Sequence, residues 1–259
     1  MLVERAKLAE ASGYDTVWLA DERFYREVYA CLALFAANTT RVRLGPCVTD
    51  PFARHPALTA TAIATIDEIS DGRAVLGIGA GISGFAELGI RPQKPARAIR
   101  ESIELIRALL CGEQVEVVGD VISFGRGRLS FPPLRSEIPI HVASNGPLGQ
   151  RSAGAVADAA IMEACGSIAE VAAFRSEVER GEVAAGRSKG SVRLIARLNA
   201  CIAEDGRRSA DCRTASGTWL DAACHRRSAR IDPATGRAGS PNSARRSRRR
   251  WRPCRDNGR

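Results

Sequence analysis

Three short stretches carry residue types at spacings that could do chemistry. Gly79-Ala80-Gly81-Ile82-Ser83-Gly84 fits the G-x-G-x-x-G pattern, in which glycines let the backbone approach the phosphates of a dinucleotide. Ser144-Asn145-Gly146-Pro147 stands where a helix should begin after an apolar run, and the free N–H groups of a helix start suit a phosphate or another anion. Asp21-Glu22 closes a further apolar run, where carboxylates can exchange protons with a substrate or hydrogen-bond a ring. Each stretch also has a plainer reading: a tight strand exit, an ordinary strand-to-helix turn, a solvated pair of loop acids. His55, next to Pro56, is another catalytic candidate, whereas Asp67, Glu68, Asp71 and Arg73 cluster ahead of a strand and read as structural. The sequence shows no metal-binding triad, nucleophile elbow or C-x-x-C pair.

What must position these residues is an alternation of apolar runs and helical stripes. Residues 41–84 read as a strand (42–48), a Pro-punctuated loop, a helix from Pro56 with Leu58, Ala62, Ile66 and Ile69 on one face, and a second strand (74–79). The strand interiors hold almost no charge, as expected of parallel strands covered on both faces, so ligands should bind beyond their ends, at 48–52 and 79–84. Before this unit come a helix ending at Gly13, a strand at 14–20 and a helix at 27–37. After it, Pro95 opens a helix with Ile99, Ile103, Ile106 and Leu110 on one face, and residues 115–131 read as an irregular insertion. A strand at 139–143 leads to a helix carrying Leu148, Ala153 and Val156. The strand at 158–163 precedes a helix capped by Ser167 and Glu170, with Ile168, Val171, Phe174 and Val178 inward, and a strand at 192–203 ends the pattern.

Strict alternation of strand and helix predicts an α/β fold with a parallel sheet closed toward a barrel. It argues against a dinucleotide role for the glycines, because the position about 20 residues on, where a second strand should end in an acid, falls inside a helix at Ile99 to Glu101. Six strands are legible, so the expectation is an incomplete (β/α)8 barrel over residues 1–205, lacking a first strand and a last strand and helix.

The net charge of +9 over 259 residues would suggest nucleic acid were it evenly spread. From Arg207 onward there are 15 Arg against four Asp, a charge of +11, which leaves −2 for the first 206 residues. The second region, 206–259, has two large aliphatic residues, Leu220 and Ile231, and no period from which to build a core. It reads either as a disordered basic arm, with Arg245 to Arg252 contacting phosphates, or as a stretch translated out of frame from a GC-rich gene. The absence of a long apolar run and of a signal-peptide core gives the expectation of a cytoplasmic protein without membrane contact.

VWLADERFYREVYACLALFAANTTRVRLGPCVTDPFARHPALTATAIATIDEISDGRAVLGIGAG resembles the bacterial-luciferase-like family, and within it the branch similar to methylenetetrahydromethanopterin reductases. LGIRPQKPARAIRESIELIRALLCGE and IPIHVASNGPLGQRSAGAVADAAI carry the likeness further, to about Asp205. The resemblance implies a (β/α)8 barrel that moves a hydride between coenzyme F420, a deazaflavin, and a small-molecule substrate. The alternative cofactor is FMN, in a monooxygenase. It implies that Gly45-Pro46-Cys47-Val48-Thr49 forms a bulge with an unusual peptide at Cys47–Val48 that backs the ring. Gly79 and Gly81 then lie beside the cofactor, Ser144, Asn145, Gly146 and Pro147 hold its phosphate tail, and Asp21 and Glu22 line the catalytic centre. A homodimer is the expected assembly. Where archaeal reductases tend to carry an acidic residue, this chain has Ile82-Ser83, and a chain short of its first and last barrel strands is expected to be poorly soluble or a non-functional fragment.

Overall fold

The computed structural model describes residues 2–163 and 166–198. The basic region from residue 206, and residues 199–203 of the final expected strand, lie outside the described residues. In chain order the elements are α1 (Leu2–Ala11), β1 (Thr16–Leu19), α2 (Val28–Asn38), β2 (Arg43–Pro46), α3 (Pro56–Ile69), β3 (Leu76–Gly79) and α4 (Pro95–Leu110). They are followed by β4 (Val115–Val118), β5 (Ser123–Gly127), β6 (Ile140–Ala143), α5 (Pro147–Val156), β7 (Ala159–Met162), α6 (Ile168–Ala184) and β8 (Arg193–Ala196).

Six of these strands are parallel and neighbour one another in chain order. β1 pairs with β2, and β3, β6, β7 and β8 form a continuous ladder. Bridges at Leu44–Ala74 and Thr49–Ile78 join the two groups on either side of a break in β2 pairing. Within that break the Cys47–Val48 peptide is cis. A strand followed by a helix, repeated with parallel neighbours, is the arrangement of a (β/α) barrel wall, and among the described residues that wall does not close. The strands are shorter than their apolar runs because the runs continue into loops. Residues 115–131 supply the antiparallel pair β4–β5 outside this sheet.

The sheet has two different faces. Val42, Leu44, Leu76, Ile78, Ile140 and Val142 point at the helices and are essentially fully buried, so transfer of their apolar surface from water drives the layer together. Trp18, Gly45, Gly77 and His141 share the opposite face, where the Trp18 and His141 rings lie 5.3 Å apart. Glycine is obligatory there: a Cβ on Gly45 would stand 1.9 Å from the Val75 carbonyl oxygen, and one on Gly77 2.3 Å from that of Pro46.

Three expected helix faces differ from the observed ones. On α3 the buried residues are Pro56, Thr59, Ala60, Ile63, Ala64, Ile66 and Asp67, while Leu58 is 60% and Ile69 44% exposed. Leu148 of α5 and Ile168 of α6 are likewise exposed, each being in the first turn of its helix.

The lower ends of the strands are fastened by charge. The Asp67 carboxylate, fully buried, accepts hydrogen bonds from the Ala74 N–H (3.1 Å) and from Arg135 Nε (3.0 Å). Arg73 donates to the carbonyls of Ala36 (3.0 Å), Thr39 (2.8 Å) and Val42 (2.8 Å). Glu101 accepts from the N–H groups of Asp120, Val121 and Ile122, all at 3.0 Å, and so ties the β4–β5 turn to α4.

Candidate functional site

The loops leaving β1, β2 and β3 meet at the C-terminal ends of those strands. Arg23, two residues beyond Asp21, donates through its guanidinium to the Asp50 carboxylate and to the Ser83 carbonyl, and lies 4.1 Å from the centre of the Phe85 ring. Asp50, 4% exposed, spends its other oxygen on the N–H groups of Phe52 and Ala53, both at 2.9 Å. The Ser83 hydroxyl donates to Glu22. One arginine therefore clasps three loops. Gly81 is required inside this clasp: its φ is +65°, and a Cβ would come within 3.0 Å of both the Arg23 guanidinium and the Phe85 ring.

Beside the clasp, Asp21 is half-buried, and Thr49 and Tyr29 are 1% and 7% exposed. Burial raises the Asp21 carboxyl above its ordinary range, opposed by the neighbouring Thr49 hydroxyl and by Arg54. Burial likewise raises the Tyr29 phenol, again opposed by Thr49. Neither the Tyr29 nor the Thr49 hydroxyl has a hydrogen-bond partner with good geometry. The Thr49 hydroxyl thus neighbours both the Asp21 carboxyl and the Tyr29 phenol, with Arg54 and Glu27 as charged neighbours. Cys47 is different: burial, assisted by Glu163, pushes its thiol up to about 11, so it stays neutral and is a poor nucleophile at neutral pH.

Gly79 packs against the segment after β2, with a hypothetical Cβ 2.7 Å from Val48 Cγ2 and 3.2 Å from the Ala143 carbonyl oxygen. Protein packing alone therefore requires glycine at 79. At the end of β6, Gly146 is the N-cap of α5, no side chain caps that helix, and Pro147 occupies its first turn. Asn145 and Gly146 are exposed. Ser144 folds in against Gly149, where a Cβ would stand 2.0 Å from the Ser144 hydroxyl oxygen. Further round the sheet, Glu163 after β7 faces Arg197 after β8 at 3.8 Å.

His55 is a correction. Its Nδ1 accepts the Ala57 N–H at 3.2 Å and its Nε2 lies 2.9 Å from the Ser123 carbonyl oxygen, so both nitrogens are occupied in capping α3 and holding β5. Arg23, Asp50, Tyr29 and Gly149 were not singled out from sequence. No local pattern marks Asp50 or Tyr29, and only the fold brings Asp50 to Arg23 and Tyr29 to Thr49. Among the described residues no cluster of His, Cys, Asp and Glu could hold a metal ion, and no helix is long and apolar enough to cross a membrane. A groove of about 440 Å³ between α4 and β4, bordered by Arg97, Glu101 and Val118, shares no residue with this site.

Comparison with known proteins gives consistent matches. The profile of the luciferase-like monooxygenases matches residues 1–253. A 5,10-methylenetetrahydromethanopterin reductase of Archaeoglobus fulgidus is 38% identical over 200 residues, which is 77% of this chain and 59% of the relative. An F420-dependent glucose-6-phosphate dehydrogenase of Amycolatopsis mediterranei is 33% identical over 172 residues, covering 61% of this chain and 51% of the relative. The solved coenzyme F420-dependent tetrahydromethanopterin reductase of Methanopyrus kandleri superposes with a TM-score of 0.77 at 28% identity, over 85% of this chain and 67% of its own. The chain spans between half and three fifths of the length of these two curated relatives.

Proposed function

The chain belongs to the luciferase-like monooxygenase family, and on that premise we propose that it is an oxidoreductase moving a hydride between coenzyme F420 and a small organic substrate at the ends of β1, β2, β3 and β6. The observation that carries this reading is the half-buried Asp21 carboxyl, raised by burial, standing beside the loop clasp at the strand ends. A carboxylic acid held there can give or take the proton that must accompany a hydride. The similarity to F420-dependent relatives favours the deazaflavin over FMN.

The residues present fit such a group. Gly45, Cys47, Val48 and Thr49 form a packed backing beside Gly79, with a thiol kept neutral so that it does not react. Gly81 keeps the loop after β3 low against Arg23. Ser144, Asn145, Gly146 and Pro147 offer an uncapped helix start to an anionic tail. When bound, the deazaflavin supplies or accepts the hydride, while this chain's residues orient it, exclude water and handle the proton. Glu22, tied to Ser83, shapes the rim. The family resemblance adds a homodimeric assembly, which sedimentation of the purified protein checks.

Absorbance titration of the protein with coenzyme F420 and, separately, with FMN tests the reading. Saturable binding of the deazaflavin is expected; tight FMN binding with none of the deazaflavin would overturn it. Asp21→Asn should then leave deazaflavin binding within about twofold while lowering kcat by about 100-fold or more.

A further inference from the structure

Among the described residues, Tyr29 and Thr49 are the two buried hydroxyls without a hydrogen-bond partner of good geometry, and they neighbour each other. Leaving a buried hydroxyl unpaired is unfavourable, so two such groups side by side call for an explanation. Both relate to one acid: the Thr49 hydroxyl neighbours the Asp21 carboxyl as well as the Tyr29 hydroxyl. Three separate elements supply them, the loop after β1, the first turn of α2 and the end of the segment after β2. Thr49 is fixed in place by its backbone, whose N–H donates to the Gly77 carbonyl (3.0 Å) and whose carbonyl accepts from the Gly79 N–H (2.9 Å).

We propose that Tyr29 and Thr49 are positioning residues that link with Asp21 into a hydrogen-bond relay, Tyr29 to Thr49 to Asp21, whose Asp21 end exchanges the proton with the substrate. The proposal rests on the function given above. In the reducing direction the Asp21 O–H bond breaks and the proton joins a carbonyl oxygen or imine nitrogen of the substrate. The adjacent carbon gains the hydride given up by the reduced deazaflavin, and Asp21 is left as a carboxylate. Thr49 then donates its hydroxyl hydrogen bond to that carboxylate and accepts one from Tyr29, so the new charge is stabilised where it forms. The charged groups facing Asp21 from the surrounding elements are Arg54 and Asp50 of the loop after β2 and Glu27 at the start of α2. Arg54 is itself paired with Glu27 at 2.7 Å and lies over the Tyr29 ring at 4.8 Å. A pure charge effect from Arg54 would not depend on the two hydroxyls. That difference makes the relay testable.

The test is the titration of the Asp21 carboxyl by carbon NMR on the full chain, the resonance being assigned with Asp21→Asn, in wild type, Thr49→Val, Thr49→Ser and Tyr29→Phe. Loss of the Thr49 hydroxyl should raise the Asp21 midpoint by about one pH unit, loss of the Tyr29 hydroxyl by a smaller amount in the same direction, and Thr49→Ser should restore it. The acid limb of the pH profile of kcat should move with these midpoints. A midpoint that stays within about 0.2 unit of wild type in both Thr49→Val and Tyr29→Phe overturns the relay, as does a carboxyl shift with no matching shift in the pH profile. Should Tyr29→Phe fail to fold, the Thr49 pair decides alone, since valine and threonine are nearly the same shape. Failure of the wild type to bind coenzyme F420 in the absorbance titration overturns the function reading instead, and the carboxyl titration still decides whether the hydrogen-bonded chain exists.

Discussion

At the scale of single residues, much of the glycine and acid content is explained by what each atom would otherwise touch. Gly45 and Gly146 are opposite cases: a Cβ on the first would overlap the Val75 carbonyl, while one on the second meets nothing within 4 Å. Gly45→Ala should therefore cost about 3 kcal/mol or more, since backbone must move, whereas Gly146→Ala should stay within about 1 kcal/mol. Thermal melts of the two variants check this. Glu101 gives a pH-dependent case. Desolvation alone would raise its carboxyl, but the N–H groups of Ile122, Val121 and Asp120 and the Arg97 guanidinium outweigh it and hold the group at about 2. A carboxyl depressed in the folded state adds stability above its unfolded value of about 4.3, and that stability is lost as pH falls toward 2. Glu101→Gln should be less stable than wild type by about 2 kcal/mol at pH 7, and the gap should close over that acidic window in denaturant titrations.

At the scale of elements, the site is made by loops that a single cation fastens together. Arg23 reaches Asp50 on the loop after β2 and Ser83 and Phe85 on the loop after β3, with side chains almost wholly out of water, so its pairing is little screened. Removing it leaves the Asp50 carboxylate buried without its partner. Arg23→Ala should raise hydrogen exchange of the Leu88, Gly89 and Ile90 amides by about tenfold, because the loop they close would open without unfolding the sheet. Unchanged exchange at those amides would mean that Phe85 packing holds the loop by itself. The start of α3 gives a second element-level outcome. His55→Asn, which keeps an N-cap acceptor, should lose no more than about 0.5 kcal/mol, while His55→Ala should lose about 1 kcal/mol, both with kcat unchanged.

At the scale of the whole molecule, the six-strand wall has one face devoted to the helices and another that carries His141 against Trp18. Burial, reinforced by the Arg193 charge, lowers His141 to about 4, so it is neutral in the folded protein near neutrality. A histidine depressed in this way binds its proton more readily when unfolded. Stability should fall as pH drops from about 6.5 toward 4, by about 2 kcal/mol from this group. His141→Gln should flatten that part of the stability curve, and a curve of unchanged slope would show that another group is responsible. The face is built by register: His141 lies level with Gly77 on one side and Ala159 on the other, small neighbours that leave space for a ring.

The alternation of strands and helices, the helix starts at Pro56, Pro95 and Pro147, the buried face of α4 and the role of Asp67 were legible in the sequence, because apolar periodicity and missing N–H groups act locally. The loops at 79–84 and 144–147 were legible as strand ends for the same reason. The sequence alone could not tell that α3 turns Ala60 inward and Leu58 out, since neighbouring stripes of one helix differ only in what they meet. Nor could it pair Arg23 with Asp50, or bring Tyr29 and Thr49 to Asp21, residues separated by up to 28 positions that meet only where parallel strands end side by side. Local patterns set which segments become strands and helices; contacts between segments distant in the chain decide which polar groups lose their water together, and the chemistry of this site depends on that loss.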